Sequence, residues 1–155
     1  MGVEEKKGYR FKPYSMVIER GKIKEFAMAI GDDNPIYYEK DAARKGGFKD
    51  ITVPPTFFTV IDMWAGPNFE EICQELQLDP VMVLHGEQEY EYFYNIYPGD
   101  EIKAISTVQD VTTRTGGAGG MNIILMETNY YNQNGQKVMI SQSKVIERVR
   151  GQRDG

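Results

Sequence analysis

The chain is poor in the residues that build metal, disulfide and thiol chemistry: among 155 residues there is one cysteine, Cys73, and one histidine, His85. A lone cysteine excludes an intrachain disulfide. Cys73 stands at helical spacing with Phe69, Ile72 and Leu76, which gives it the place of a small core residue. A zinc site would have to draw most of its ligands from carboxylates, so no metal is expected. Long apolar runs are missing too. Nothing approaches the roughly 20 residues a membrane-spanning helix needs, and the charged N-terminal stretch does not resemble a secretory signal. A cytoplasmic protein without membrane association is expected. Positive charge is scarce: the net charge is −5, and no cluster of Lys and Arg forms a stripe that could track phosphates. Nucleic acid is therefore not an expected partner. Arg44, Lys45 and Lys49 read as solvated surface charge, although a few local cations of this kind can also serve a small polyanion.

What is present suffices for one domain with a real core. Residues 1–8 are charged and read as a mobile tail, as do residues 151–155 at the other end. Tyr14–Glu19 has the composition of a short strand. Ile23, Phe26, Ala27 and Ile30 recur at i, i+3, i+4 and i+7, an amphipathic helix over 22–30 closed by Gly31. A short helix is expected over 39–45, ended by Gly46-Gly47. After Pro54-Pro55 a helix over 56–65 is polar only at Thr56, Thr59 and Asp62; the rest includes Phe57, Phe58, Val60, Ile61, Met63 and Trp64. A helix this apolar must be wrapped, and Phe57, Phe58, Ile61 and Trp64 are expected to be buried. Asn68 caps a further helix to about Leu76.

From Val81 onward the period changes to two. Met82, Leu84, Gly86, Gln88, Tyr90 and Tyr92 fall on one face, with Glu87, Glu89 and Glu91 on the other. Strands over 102–113, 121–131 and 138–149 follow, separated by a glycine run and by Asn134-Gly135, a hairpin signal. The sum is an α+β domain in which an antiparallel meander wraps one apolar helix.

The chemistry-bearing stretch is Gly31-Asp32-Asp33-Asn34-Pro35-Ile36-Tyr37. Its residues have an ordinary structural reading: Gly31 ends a helix, Asn34-Pro35 turns the chain, and Asp32 or Asp33 accepts local N–H groups. They also have a chemical one. A carboxylate, an amide and a phenol near the positive end of the apolar helix would suit a developing negative charge such as a thioester enolate. On the residues alone the structural reading weighs more.

The order of Gly31-Asp32-Asp33-Asn34-Pro35-Ile36, Ala42-Ala43-Arg44, Pro54-Pro55-Thr56-Phe57, His85-Gly86-Glu87-Gln88 and Tyr97-Pro98-Gly99-Asp100 resembles the N-terminal domain of MaoC-like dehydratases, relatives of (R)-specific enoyl-CoA hydratases. The resemblance covers roughly residues 9–150. It implies a hotdog fold, a homodimer or a heterodimer with a catalytic hotdog subunit, and an acyl thioester of coenzyme A or an acyl carrier protein as substrate, with no further cofactor. Active members carry G-D-x-N-P-x-H, whose Asp and His handle a water and a substrate proton. Carried over, Asp32 and Asn34 match and Tyr37 stands at the histidine position. A phenol, with an ordinary pKa of about 10, is a poor base at neutral pH. Pro54-Pro55 replaces the His-Gly whose glycine N–H faces the thioester oxygen, and proline has no N–H to give. Pro55, Thr56, Phe57 and His85 are candidate substrate contacts, and Tyr90, Tyr92, Phe93 and Tyr94 could line an acyl tunnel. The departures match the supporting half of two-chain or fused dehydratases. A competent homodimer using Asp32, a non-enzymatic acyl-binding protein and a thioesterase remain as alternatives.

Overall fold

The structure is a computed structural model that describes residues 2–117 and 119–150. Five antiparallel strands, β1 (Tyr14–Val17), β2 (Val83–Tyr92), β3 (Glu101–Gly116), β4 (Gly119–Tyr131) and β5 (Lys137–Arg150), form one sheet in the order β1-β3-β4-β5-β2. Four helices precede β2: α1 (Arg20–Ala29), α2 (Lys40–Lys45), α3 (Phe58–Ala65) and α4 (Phe69–Leu76). The register places Tyr14, Ala104, Tyr130, Met139 and Tyr92 in one row across the sheet. Tyr130 of that row meets Phe58 of α3 edge to face, with ring centroids 5.0 Å apart. The sheet thus wraps α3, the hotdog arrangement expected.

Burial follows that geometry. One core cluster joins Ile23 and Ala27 of α1, Phe57, Phe58 and Ile61 around α3, and Ile102, Ala104, Tyr130 and Met139 of the sheet. A second gathers Phe11, Cys73, Leu76, Leu78, Val108 and Ile124 beneath α4, so Cys73 is the core residue its spacing suggested. Asn68 caps α4 as expected, its side chain accepting the Glu71 N–H.

Three local expectations change. Helix α3 begins at Phe58, not at Thr56, because the chain enters through tighter turns: Phe57 N–H donates to the Pro54 carbonyl and Thr59 N–H to that of Thr56. Trp64 is not buried; it is 67 % exposed, and Met63 is 77 % exposed. The sheet covers only one side of α3, and the Trp64 ring instead carries the Lys22 ammonium 4.4 Å from its centroid. Finally, β2 contains a bulge between His85 and Glu87, where Gly86 is the extra residue. An inserted residue reverses the alternation upstream of it. Val83 and His85, rather than Leu84 and Gly86, therefore share the inner face with Gln88, Tyr90 and Tyr92.

Within the stretch expected to be a tail, Val3–Lys6 forms a 3-10 turn, Val3 packs on the second cluster, and Gly8 N–H donates to the Val108 carbonyl. Residues 151–155 lie outside the described residues. Among those described, no helix is long and apolar enough to cross a membrane.

Candidate functional site

The motif loop begins where α1 stops. Gly31 takes φ +72°, a left-handed value that a Cβ would resist, and so turns the chain out of the helix. Two of the polar side chains that follow bond within the loop itself. Asp32 Oδ1 accepts the Asn34 N–H at 3.0 Å, and Asn34 Oδ1 accepts the Ile36 N–H at 3.2 Å. The Tyr38 hydroxyl donates to the Asp32 carbonyl at 2.5 Å. Tyr37 turns inward and is buried among the core residues. Burial first, and the negative charge of Asp32 second, push its phenol pKa up. A phenol shifted upward is further from acting as a base at neutral pH.

At the entry to α3 the expected contacts separate. Pro55 and Thr56 are exposed, and the Pro55 carbonyl accepts the Tyr92 hydroxyl at 2.6 Å. The Thr56 carbonyl accepts the Thr59 hydroxyl at 2.7 Å. Phe57 is sealed, 0 % exposed, with its ring edge-on to Phe26 at 5.7 Å. Its N–H is already given to Pro54. Phe57 is therefore a core residue. Beside this entry lies an open cleft of about 440 Å³ between Thr52–Pro55, Phe58 and Tyr92–Ile96, which takes in Tyr92, Phe93 and Tyr94.

A second, more enclosed space lies on the other side of α3. It measures about 300 Å³ and runs between α3 (Thr59, Asp62), α4 (Phe69, Ile72, Cys73) and the inner face of the sheet. His85 and Tyr90 line this cavity, so the sole histidine is assigned to it and not to the motif loop. His85 Nε2 lies 3.1 Å from Gln88 Oε1, and Gln88 Nε2 donates to Ser141 Oγ at 2.6 Å. Ser106 and Thr128 share a hydrogen bond of 2.7 Å on the same wall.

Asp62 closes this network from the helix side. Its Oδ1 accepts both the Tyr14 and the Tyr130 hydroxyls, each at 2.6 Å. Burial raises the Asp62 pKa, against the two hydrogen bonds, which pull it down. The two phenols are in turn pushed far above their ordinary value by burial and by the Asp62 charge. Tyr14 reaches Asp62 because Gly66 lets it lie close: a Cβ there would sit 2.9 Å from the tyrosine ring. Reading the sequence for motifs missed this cluster. The available signal was a carboxylate in an otherwise apolar helix, at i+3 from Thr59 and so on the same face. Among the described residues, no group of three or more His, Cys, Asp or Glu side chains is placed to hold a metal.

Residues 5–141 match the family described as FAS1-like, dehydratase domain region. A UPF0336 protein of Streptomyces avermitilis is 31 % identical over 137 residues, covering 88 % of this chain and 87 % of its own length. Among solved structures, a chain of the C-terminally truncated HadBC (3R-hydroxyacyl-ACP dehydratase) complex of Mycobacterium tuberculosis superposes with a TM-score of 0.73 at 20 % identity, covering 91 % of this chain and 96 % of that one. A MaoC-like dehydratase of Rhodospirillum rubrum superposes with a TM-score of 0.68 at 21 % identity and 94 % coverage of each chain. The chain therefore belongs to the FAS1-like dehydratase-domain family and has the hotdog fold of the MaoC-like dehydratases.

Proposed function

We propose that this chain is the acyl-binding half of a hydratase or dehydratase acting on 3-hydroxyacyl or 2-enoyl thioesters of coenzyme A or an acyl carrier protein. A partner hotdog chain supplies the catalytic carboxylate and imidazole. One observation carries the reading: the Asp32 and Asn34 side chains of the motif are engaged within their own loop and the residue at the histidine position is a buried phenol, while a cavity less open than the first cleft lies behind α3. Hydration beside a thioester needs a group that can take a proton near neutral pH and donors for the carbonyl oxygen. The phenol at the motif's histidine position, its pKa raised by burial, is not such a base.

The chain's own part is to hold the acyl group and orient the thioester. Among the described residues the Thr56 and Phe58 N–H groups have no hydrogen-bond acceptor, and they stand at the N-terminal end of α3, where the helix dipole favours negative charge. In this reading they replace the missing glycine N–H, with Pro55 and Thr56 beside the thioester. Asp32, Asn34 and Tyr37 shape the loop, and Phe57 supports it from the core. The folding unit is taken as residues 9–150. Among the described residues strand β2 pairs only with β5, which leaves its other edge unpaired, and we assign that edge to the partner chain.

The test is an assay of crotonyl-CoA hydration by the purified chain, alone and after mixing with a hotdog protein carrying an intact D-x-N-P-x-H. Negligible rate alone and restored rate in the mixture are expected. Robust hydration by the unmodified chain alone overturns the supporting role.

A further inference from the structure

The cavity behind α3 has a mixed lining. Ile72, Cys73, Leu78, Val83, Met126 and Val145 are its apolar part. Set among them are Asp62 of α3 and, on the sheet, Gln88, Thr128, Ser141 and Ser143. A tunnel for a plain alkyl chain gains nothing from such groups, since each loses water when a methylene covers it.

Asp62 is the sharpest feature of the polar lining. Its Oδ1 already serves two phenols, but its Oδ2 makes no hydrogen bond among the described residues. Nor is that oxygen sealed away, for the one buried side-chain oxygen or nitrogen left without a partner among them is Asn129 Oδ1. Because Asp62 lines the cavity, Oδ2 is available to whatever fills it. Tyr90 lines the same cavity, and the Asp62 charge adds to burial in raising its pKa.

We infer that the cavity takes an acyl group bearing a hydroxyl near its distal end, which donates to Asp62 Oδ2, in preference to an alkyl chain of the same length. This rests on the acyl-thioester reading above and narrows it to a substrate class. A neutral donor fits better than an ammonium: two phenols already share the carboxylate's charge, and burying a second ion costs several kcal/mol before any pairing. The volume, about 300 Å³, holds about ten water-sized groups at about 30 Å³ each, so the acyl group has roughly eight to ten heavy atoms.

Calorimetric titration of the purified chain with octanoyl-CoA and 8-hydroxyoctanoyl-CoA tests this without any turnover. The hydroxylated thioester should bind about tenfold tighter, the ordinary effect of one hydrogen bond to a charged group. In Asp62→Leu the preference should vanish or reverse. Asp62→Asn still offers the tyrosines an oxygen and guards against a variant that fails to fold; there the advantage should fall by roughly half or more. Equal affinity of the two thioesters in the unmodified chain, or an undiminished preference in Asp62→Asn, overturns the inference. If neither thioester binds but free 8-hydroxyoctanoate does, with the same dependence on Asp62, the thioester reading falls and the cavity assignment stands. No binding of any of the three overturns the assignment itself.

Discussion

The two sides of α3 use polar residues in opposite ways. In front of the helix, the loop 31–37 carries the motif that a reader of the sequence notices first, yet its Asp32 and Asn34 side chains are turned onto backbone N–H groups two residues ahead. Behind the helix, Asp62 is flanked by apolar residues in the sequence and belongs to no motif, yet it joins phenols 48 and 68 residues away and lines a cavity. Short-range hydrogen bonds of the first kind build turns. Side chains drawn together over such separations against a cavity can build sites. On the proposed reading the loop is scaffold and the cavity does the recognising.

The largest expected effect lies between the two sides. Phe57 was a candidate substrate contact, but it is sealed against Phe26 and the core. Phe57→Ala should cost about 3–5 kcal/mol of stability. A denaturant midpoint within error of the unmodified chain would break the comparison at its root, by showing that the α3 entry is not core. Next comes the close approach that positions Tyr14. A Cβ at Gly66 would meet the Asp62 carbonyl oxygen at 2.7 Å and the Tyr14 ring at 2.9 Å. Gly66→Ala should cost about 1–3 kcal/mol and displace the tyrosine from Asp62. Equilibrium unfolding gives the first figure. Tyrosine absorbance titration gives the second, since a phenol freed from Asp62 ionises at lower pH than it does in the intact cluster.

Smaller still is the effect expected in front of the helix. Asp32→Ala removes one acceptor in a solvated turn, where water can serve the Asn34 N–H, and should cost about 1 kcal/mol or less. Hydration by a reconstituted two-chain complex should hardly change. Loss of that activity in Asp32→Asn, which keeps an acceptor for the turn, would instead make Asp32 a catalytic carboxylate and erase the distinction between the two sides.

Much of this was legible in the residues. The change from a 3.6-residue to a two-residue period divides helices from strands, and a helix as apolar as α3 demands a sheet around it. Other features depend on pairing that no local pattern records. The exposure of Trp64 follows from which side of α3 the sheet covers. The face of His85 is set by one extra residue, Gly86, whose effect appears only in the β2–β5 register. The cavity was the least legible part: Tyr14, Asp62, Ser141 and Tyr130 come from four separate elements, and each alone reads as an ordinary core or strand residue.

The finest test sets Asp62 against a carboxylate outside the cavity, Asp50, on the segment between α2 and α3. Asp50 accepts two hydrogen bonds from Arg20, at 2.9 and 2.6 Å, and one from the Ile51 N–H at 2.7 Å. These bonds, those from Arg20 foremost, hold its pKa down at about 2 against an ordinary 3.8. Its folded form binds its proton less readily than its unfolded form does. It therefore adds stability that is complete above about pH 4 and is lost as pH falls toward 2. Asp62 has the reverse sign. Burial raises its pKa above 3.8, so between that value and its folded pKa the folded chain holds a proton that the unfolded chain has released. Stability must then decline as pH rises through that window. Urea midpoints of the unmodified chain, Asp50→Asn and Asp62→Asn between pH 2 and 7 separate the two contributions. Asp50→Asn should be the less stable variant near neutrality and converge on the unmodified chain at the acid end. Asp62→Asn should start level with the unmodified chain in acid and gain on it as pH rises. Parallel curves for Asp62→Asn would mean that its carboxyl is as well solvated as a surface one, and the cavity would then be an open part of the surface, without the desolvation that lets a single hydrogen bond select a ligand.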